Sequence, residues 1–237
     1  KFLTTDLSTA QAEGEIFYSN TDSEFKVAIA AGAWSAGSPL AAARKGLAGA
    51  GTTTAGLSFG GTGDTNATEE YNGSGWSTGG DLNTARASIA GAGTQTAGLA
   101  IAGNAPPVTN SSEEYDGTSW TASNNLGTAR SYLAGMGTQT AGLAYGGDEA
   151  PGYSGKTEEY DGTSWTESGD LNTARSMLAG AGLQTAGIAF GGDTPPSTAI
   201  AESYDGSSWT EVGDLNTARN ELTGVGIQTA AIAVGGY

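Results

Sequence analysis

Short apolar segments, separated by glycine-rich and polar turns, recur along the whole chain. In one stretch, residues 176–183 are small and apolar, and residues 186–192 form a second apolar segment that ends in two glycines. After a loop, Glu202-Ser-Tyr204 and Ser208-Trp209-Thr210 are joined by Asp205-Gly206, a dipeptide typical of tight β-hairpins. No segment has a sustained helical period. The pattern predicts four short antiparallel strands per unit, as in the blade of a propeller.

The same sequence unit occurs five times along the chain. Each unit has one tryptophan and one arginine ten residues later, and successive tryptophans are 42 to 45 residues apart. A period near 44 is typical of propellers and solenoids. The tryptophans are Trp34, Trp76, Trp120, Trp165 and Trp209, and the arginines are Arg44, Arg86, Arg130, Arg175 and Arg219.

The order of the strands predicts how the fold closes. The last unit ends after its two inner strands, at residues 220–236, whereas the chain begins with two strand-like segments at residues 15–18 and 24–29. If these N-terminal strands pair with the C-terminal inner strands, they complete a fifth blade and remove an open sheet edge. We therefore expect an all-β, five-bladed β-propeller of four-stranded antiparallel blades over residues 14–237, with a lead-in segment at residues 1–13.

The innermost strand of each unit contains glycine alternating with small residues, as in Ala90-Gly-Ala-Gly93. Glycine within a strand often indicates close approach of another backbone. Five blades crowd the axis of a propeller, so these strands predict a narrow, mostly filled channel.

The order of conserved features within a unit resembles the kelch repeat. Two glycines end a strand, and Tyr, Trp and Leu-x-x-x-Arg follow, as at Gly191-Gly192, Tyr204, Trp209 and Leu215 to Arg219. The resemblance covers residues from about 30 to 237 and implies a β-propeller, but no particular function, because one fold hosts many functions. The motif LNTAR, followed by AGxGTQTAGLA, also resembles repeats in structural proteins of marine tailed phages, including cyanophages.

Composition excludes several classes of function. The net charge is −16, which disfavours nucleic acid and anionic membranes as partners. The chain has no cysteine and no histidine, so thiol chemistry and the commonest general base are absent. No apolar run approaches the ~20 residues of a membrane span, so we expect no membrane insertion. The first residue is Lys1 rather than methionine, and we expect a trimmed or processed start.

The repeated aromatic and arginine residues have structural and functional interpretations. We expect the tryptophans to pack in the core, because buried aromatics contribute large apolar areas. The arginines either surround the channel mouth and hold an anion, or pair with carboxylates that begin the third strand of each unit. The second interpretation is favoured, because every unit supplies both partners. These carboxylates are Glu69, Glu70, Glu113, Glu114, Glu158, Glu159 and Glu202.

Only one segment of the unit changes length. From the second glycine to the next tyrosine the distances are 10, 12, 13 and 12 residues, and five of the six prolines lie there. Alternation of strand direction places these variable loops on the same face as the arginine-bearing links, and loop variation on a fixed scaffold is typical of binding proteins. Neutral drift of the loops is an equally open alternative. The predicted binding residues are Asp64, Asn66, Asn104, Asn110, Asp148, Glu149, Tyr153, Lys156 and Asp193.

Catalysis is not expected. Carboxylates are the available acid–base groups, and most recur in register as turn or strand-start residues; Asp148, Glu149 and Glu221 are exceptions that nothing pairs in sequence. Residues 150–157 fit a relaxed phosphate-loop pattern, but a strand and hairpin follow where that loop needs a helix. No cofactor or metal is expected: calcium is compatible with the many oxygen ligands, but no loop with EF-hand spacing is present.

We therefore expect a non-catalytic binding or structural module. The phage resemblance implies a virion surface or tail-associated protein that binds a host glycan or another virion protein and is compatible with a homo-oligomeric virion assembly. One alternative is a secreted, extracellular lectin-like propeller of a microbe. Another is a carbohydrate-active enzyme that uses a pair of Asp or Glu residues.

Overall fold

The computed structural model describes residues 16–19, 24–27, 36–63 and 65–237. The chain divides into two compact units, Lys1–Gly37 and Ser38–Tyr237, and each is described by itself. The boundary predicted between residues 13 and 14 lies outside the described residues. Within the described ranges, no helix combines the length and apolar character that crossing a membrane requires.

The first unit contains one hairpin, β1 (Ile16–Ser19) and β2 (Glu24–Val27). The second unit begins with sheet 1, made of β3 (Ala48–Thr52), β4 (Ala55–Phe59), β5 (Thr68–Tyr71) and β6 (Trp76–Thr78). Sheet 2 contains β7 (Ala90–Thr94), β8 (Ala97–Asn104), β9 (Val108–Tyr115) and β10 (Trp120–Ala122).

Sheet 3 begins with β11 (Ala134–Thr138) and β12 (Ala141–Tyr145), and a separate small hairpin follows, β13 (Asp148–Glu149) and β14 (Gly152–Tyr153). The outer strands of sheet 3 are β15 (Thr157–Tyr160) and β16 (Trp165–Glu167). Sheet 4 contains β17 (Ala179–Leu183), β18 (Ala186–Phe190), β19 (Ala201–Tyr204) and β20 (Trp209–Val212). The C-terminal hairpin contains β21 (Leu222–Ile227) and β22 (Ala230–Gly235).

These sheets confirm the predicted all-β class and the antiparallel four-stranded unit, an arrangement compatible with a propeller-like fold. Neither the predicted fifth blade nor the closure of the ring is confirmed, because β1–β2 and β21–β22 are separate two-stranded sheets and no strand pairing joins them in the described residues. Two segments predicted as plain loops are partly paired. The loop of sheet 2 is shortened because β8 and β9 extend to Asn104 and Val108, and the loop of sheet 3 folds into the β13–β14 hairpin.

The inner strands of neighbouring sheets lie side by side in the order β3, β7, β11, β17 and β21. Glycine permits this approach, because a Cβ atom at Gly91 would lie 3.0 Å from the carbonyl oxygen of Gly49 and 2.8 Å from the phenyl ring of Phe59. The small residues predicted to mark close backbone approach therefore have that role at the seam between sheets 1 and 2.

A glutamine in the inner turn of sheets 2 to 4 and of the C-terminal hairpin connects each of them to the sheet before. The Gln95 amide donates hydrogen bonds to the carbonyl oxygens of Gly56 (3.1 Å) and Tyr71 (2.7 Å). The same pair of bonds recurs at Gln139, Gln184 and Gln228. Sheet 1 has Thr53 in this position, so it lacks the equivalent connection toward a preceding sheet.

Aromatic side chains fill the seams. Tyr115 and Trp120 are buried with ring centroids 4.9 Å apart, and the Trp120 indole N–H donates to the Thr68 hydroxyl (2.9 Å) in the preceding sheet. The Tyr115 hydroxyl donates to Glu70 Oε1 (2.6 Å) across the same seam. Trp209 is also buried, Trp76 and Trp165 are half-buried, and Trp34 lies outside the described residues.

The buried tyrosines between neighbouring sheets should make the protein less stable at alkaline pH. Burial, reinforced by hydrogen bonds to Glu70 and Glu114, raises the pKa of Tyr115 and of Tyr160 to about 12. An unfolded tyrosine has a pKa of about 10, so the unfolded chain loses phenolic protons first, and this contribution to stability is complete below about pH 10. We expect the free energy of unfolding to fall between about pH 10 and 12, measured by urea titration at each pH. A flat profile across that window would contradict the buried phenols.

Candidate binding site on the loop face

The variable loops and the arginine-bearing links lie on one face of the second unit. The main chains of Ser131 and Asp148 exchange two hydrogen bonds of 3.1 and 2.6 Å, which ties the start of a loop to the residue after Arg130. The same exchange joins Ala87 to Asn104 and Ser176 to Asp193. The Asp-Gly turns lie beside the inner hairpin turns at the other ends of the strands. The face with the variable loops is called the loop face below.

The arginines do not surround a channel mouth. Arg86, Arg130 and Arg175 are fully buried, and each forms an ion pair with a glutamate of the third strand in its own sheet. The pairs are Arg44–Glu69 (3.0 Å), Arg86–Glu113 (2.9 Å), Arg130–Glu158 (2.8 Å) and Arg175–Glu202. These contacts agree with the structural interpretation, and burial removes the three fully enclosed guanidinium groups from any anion in solvent. Arg219 instead donates to the carbonyl oxygens of Gly235 (2.9 Å) and Ala233 (3.4 Å).

The residue two positions after each arginine lines a cavity at the loop-face end of the inner strands, and these five residues are called the mouth residues. All five of these mouth residues have left-handed backbones with φ between 50° and 64°, although only one is glycine. Most side chains adopt this conformation at a cost of roughly 1–2 kcal/mol per residue. The mouth residues are Gly46, Ser88, Tyr132, Met177 and Glu221.

Main-chain hydrogen bonds connect the mouth residues in sequence. The N–H of Ser88 donates to the carbonyl oxygen of Gly46 (2.7 Å), and that of Tyr132 donates to Ser88 (3.0 Å). Met177 donates to Tyr132 (2.9 Å), and Glu221 donates to Met177 (3.0 Å). Because these main-chain groups bond to one another, side chains are the main groups that the mouth presents to a ligand.

The mouth residues surround a cavity of about 390 Å³, called the mouth cavity, to which Lys45 and Thr62 also contribute. A second cavity of about 230 Å³ lies among the inner strands, and all four sheets and the C-terminal hairpin contribute to it. The two cavities share Leu47, Ile89, Leu133, Leu178 and Leu222. The mouth cavity of about 390 Å³ lies at the lower end of the range of small-molecule pockets, so it can hold a long side chain or a small ligand.

The predicted loop residues fall into two groups, apart from Asp64, which lies outside the described residues. Some stabilise the fold: the Asn66 and Asn110 amides donate to the carbonyl oxygens of Leu82 (3.2 Å) and Leu126 (2.7 Å). Lys156 pairs with Glu149 (2.8 Å), and the ammonium group lowers the pKa of that carboxyl. The others, Asn104, Asp148, Tyr153 and Asp193, lie at the loop starts beside the mouth strands or in the small hairpin.

Carboxylates and tyrosines alternate along one side of the loop face. The Tyr153 hydroxyl donates to Asp193 Oδ2 (2.9 Å), and this bond raises the pKa of Tyr153. The charge of Glu221 raises the pKa of Tyr237, with a further contribution from Asp193. Together with Asp148, which pairs with Tyr153 in the β13–β14 hairpin, these residues form the acidic arc: Asp148, Tyr153, Asp193, Tyr237 and Glu221.

The sequence-based list of site residues omitted the mouth residues. A signal was present, because the residue two after the arginine differs in all five units, whereas the arginine and the Leu or Ile after the mouth residue are retained. Glu221 was recognised as out of register, but its four equivalents were not. A left-handed backbone at a non-glycine residue has no local sequence signature, so their conformation could be found only in the structure.

Within the described residues, no group of three or more acidic side chains has the arrangement of a metal site. Neither a protein-family model nor a curated protein matches this chain.

Proposed function

We propose that this chain is a non-catalytic binding module whose partner occupies the mouth cavity and the adjacent acidic arc. The main support comes from five equivalent positions that line the cavity. These positions hold five different residues, whereas the rest of the unit repeats closely. The four non-glycine mouth residues have left-handed backbones, which further supports the proposal, because backbone strain is typical of functional sites. A structural position would be expected to retain glycine, as at Gly46.

The binding proposal predicts a large effect of Tyr132→Ser, which gives sheet 3 the residue that sheet 2 has at the mouth. Tyr132 is 39% exposed, and exposed tyrosines frequently dominate binding energies. We expect about a tenfold loss of affinity for glycans or purified virion proteins that the wild type binds, by glycan array and biolayer interferometry. Val212→Ser, which removes an apolar side chain exposed to 37% on β20, is the control and should leave binding unchanged. Equal effects of both substitutions would contradict a site at the mouth.

We also propose that sheets 1–4 and the C-terminal hairpin belong to a five-bladed ring that N-terminal strands complete. A cavity of about 450 Å³ lies beside β22, where sheets 1–4 have a third strand, and Arg219 lines it. Val225, Ile227 and Ile232 of the C-terminal hairpin are between 51% and 60% exposed. Apolar exposure and an unpaired strand edge are both unfavourable, and two further strands would remove them.

A disulfide between the ends of the chain tests closure. In sheets 1–4 the residue before the tyrosine of the third strand pairs with the centre of the second strand, as Glu159 does with Leu143. If residues 24–29 form the third strand of a fifth blade, the same spacing counted back from Trp34 in the sequence would bring Ala28 opposite Ile232. We expect Ala28→Cys with Ile232→Cys to oxidise to an intramolecular disulfide, because paired strands meet its distance limits. Thr163→Cys with Ile232→Cys is the control. Crosslinks only between molecules would contradict closure.

The proposed location of the protein rests on the amino-acid sequence of the repeats, which resembles units in structural proteins of marine tailed phages. In this setting the module lies on the virion surface or tail and holds a host glycan or another virion protein. Antibodies raised against the chain should then label intact particles in electron micrographs. Labelling of secreted material alone would instead favour the extracellular lectin-like alternative.

A further inference from the structure

We propose that the ligand of the mouth and acidic arc is a lysine- or arginine-bearing segment of a partner protein, with one basic side chain in the mouth cavity. This inference rests on the proposed binding function and specifies its ligand class. The cavity of about 390 Å³ has room for a long side chain but not for a folded element.

Charge complementarity favours a basic ligand. The net charge of the chain is −16, and Asp148, Asp193 and Glu221 place three carboxylates on one side of the loop face. The mouth cavity itself is lined by one carboxylate, Glu221, and one cation, Lys45, so the excess of negative charge lies in the acidic arc beside it. An acidic surface around a cleft attracts cationic groups and increases their association rate.

The exposed tyrosines add a second, independent observation. Tyr115, Tyr145, Tyr160 and Tyr204 are fully buried, whereas Tyr132 and Tyr153 are each 39% exposed and both lie on the loop face. An aromatic face next to carboxylates binds ammonium and guanidinium groups through cation–π attraction, which adds about 0.5–1 kcal/mol at exposed sites. Met177 at the same mouth offers a flexible apolar surface for the aliphatic stem of such a side chain.

Two buried polar atoms beside the arc have no hydrogen-bond partner among the described residues. They are the Ser176 hydroxyl oxygen, whose main chain pairs with Asp193, and Asn220 Oδ1, whose main chain pairs with Tyr237. Both atoms can accept a hydrogen bond, but protein encloses them and neither residue lines the mouth cavity, so they add nothing to the choice of ligand.

The test is fluorescence anisotropy with a labelled peptide of alternating Lys, Arg and Gly. A peptide with Glu in place of Lys and Arg, and a Ser-Gly peptide, are the reference probes. We expect binding of the basic peptide alone, weakened by Glu221→Gln roughly fivefold, as expected for about 1 kcal/mol from one exposed charge pair. Glu211→Gln, the same change of charge on the exposed β20 strand, should leave binding unchanged, and about 0.5 M salt should abolish most of it.

The cation–π contribution is tested by Tyr132→Leu, which retains an apolar side chain. We expect a two- to fivefold loss for the basic peptide, as expected for about 0.5–1 kcal/mol. Equal binding of all three peptides, or equal effects of Glu221→Gln and Glu211→Gln, would overturn the proposal. Salt-independent binding on a glycan array without peptide binding would also overturn it, while leaving the proposed binding function intact. Absence of both would contradict the binding function itself.

Discussion

Replacing Arg130 with methionine is expected to lower the free energy of unfolding by about 3–5 kcal/mol, because it leaves a buried carboxylate without its partner. Arg130 is fully buried, and its guanidinium donates to Glu158 (2.8 Å) and to the carbonyl oxygens of Lys156 (2.6 Å) and Gly146 (3.1 Å). Three groups on β15 and at the loop start therefore lose their donor together. Urea unfolding followed by tryptophan fluorescence gives the change directly.

Two comparisons separate this effect from a general sensitivity to charge. Lys156→Met breaks the ion pair with Glu149, whose side chains are 33% and 30% exposed, and should cost less than about 1 kcal/mol. Adding Glu158→Gln to Arg130→Met removes the unpaired buried charge and should restore part of the loss. If Arg130→Met and Lys156→Met were equally mild, the buried arginine pairs would not be the principal connection within each sheet.

A variant with glycine at all four non-glycine mouth positions is expected to be more stable than the wild type. Ser88, Tyr132, Met177 and Glu221 have φ between 50° and 54°, where glycine has no Cβ clash. Relief of this strain, reduced by the greater flexibility of unfolded glycine, should contribute about 0.5–1 kcal/mol per site, or about 2–4 kcal/mol in total. Chemical denaturation is the measurement. Gly46 shows that glycine fits the conformation.

Whether the free energy of unfolding rises or falls in this variant distinguishes mouth side chains retained for binding from mouth side chains that support the fold. Thr121→Gly, at an exposed strand position without positive φ, is the control and should destabilise the fold by about 0.5–1 kcal/mol. If the mouth variant were likewise destabilised, the side chains at the mouth would support the fold. If it is stabilised and loses its partner, the mouth residues are retained for binding at a cost in stability, as at many functional sites.

Much of the fold could be predicted from local patterns. Asp161-Gly162 indicated a hairpin because the turn needs positive φ, and Gly162 has φ of 88°. Strand direction predicted that Arg130 pairs with a carboxylate at the start of the third strand, but it did not distinguish Glu158 from Glu159. The depth of burial could not be predicted, because it depends on the neighbouring sheets that cover the ion pair.

The site was harder to predict than the fold, because the fold is indicated by residues that repeat in every unit, whereas the mouth residues differ between units. Loop length directed attention to residues such as Asn66 and Asn110, whose amides bind the main chain and position the links. The mouth residues keep their spacing and differ only in identity, so length gave no signal for them. Ala102 shows the same limit: it has φ of 52°, in the place where the other sheets use the first of two glycines.

The most direct measurement of the central claim is a thiol footprint of the mouth. The chain has no cysteine, so Ser88→Cys places a single reactive thiol in the mouth cavity, and Thr163→Cys places one on the opposite face. With the bound partner present, alkylation at position 88 should slow in proportion to the fraction of protein bound, while alkylation at position 163 is unchanged. Unchanged alkylation at position 88 under saturating partner would show that the ligand lies elsewhere.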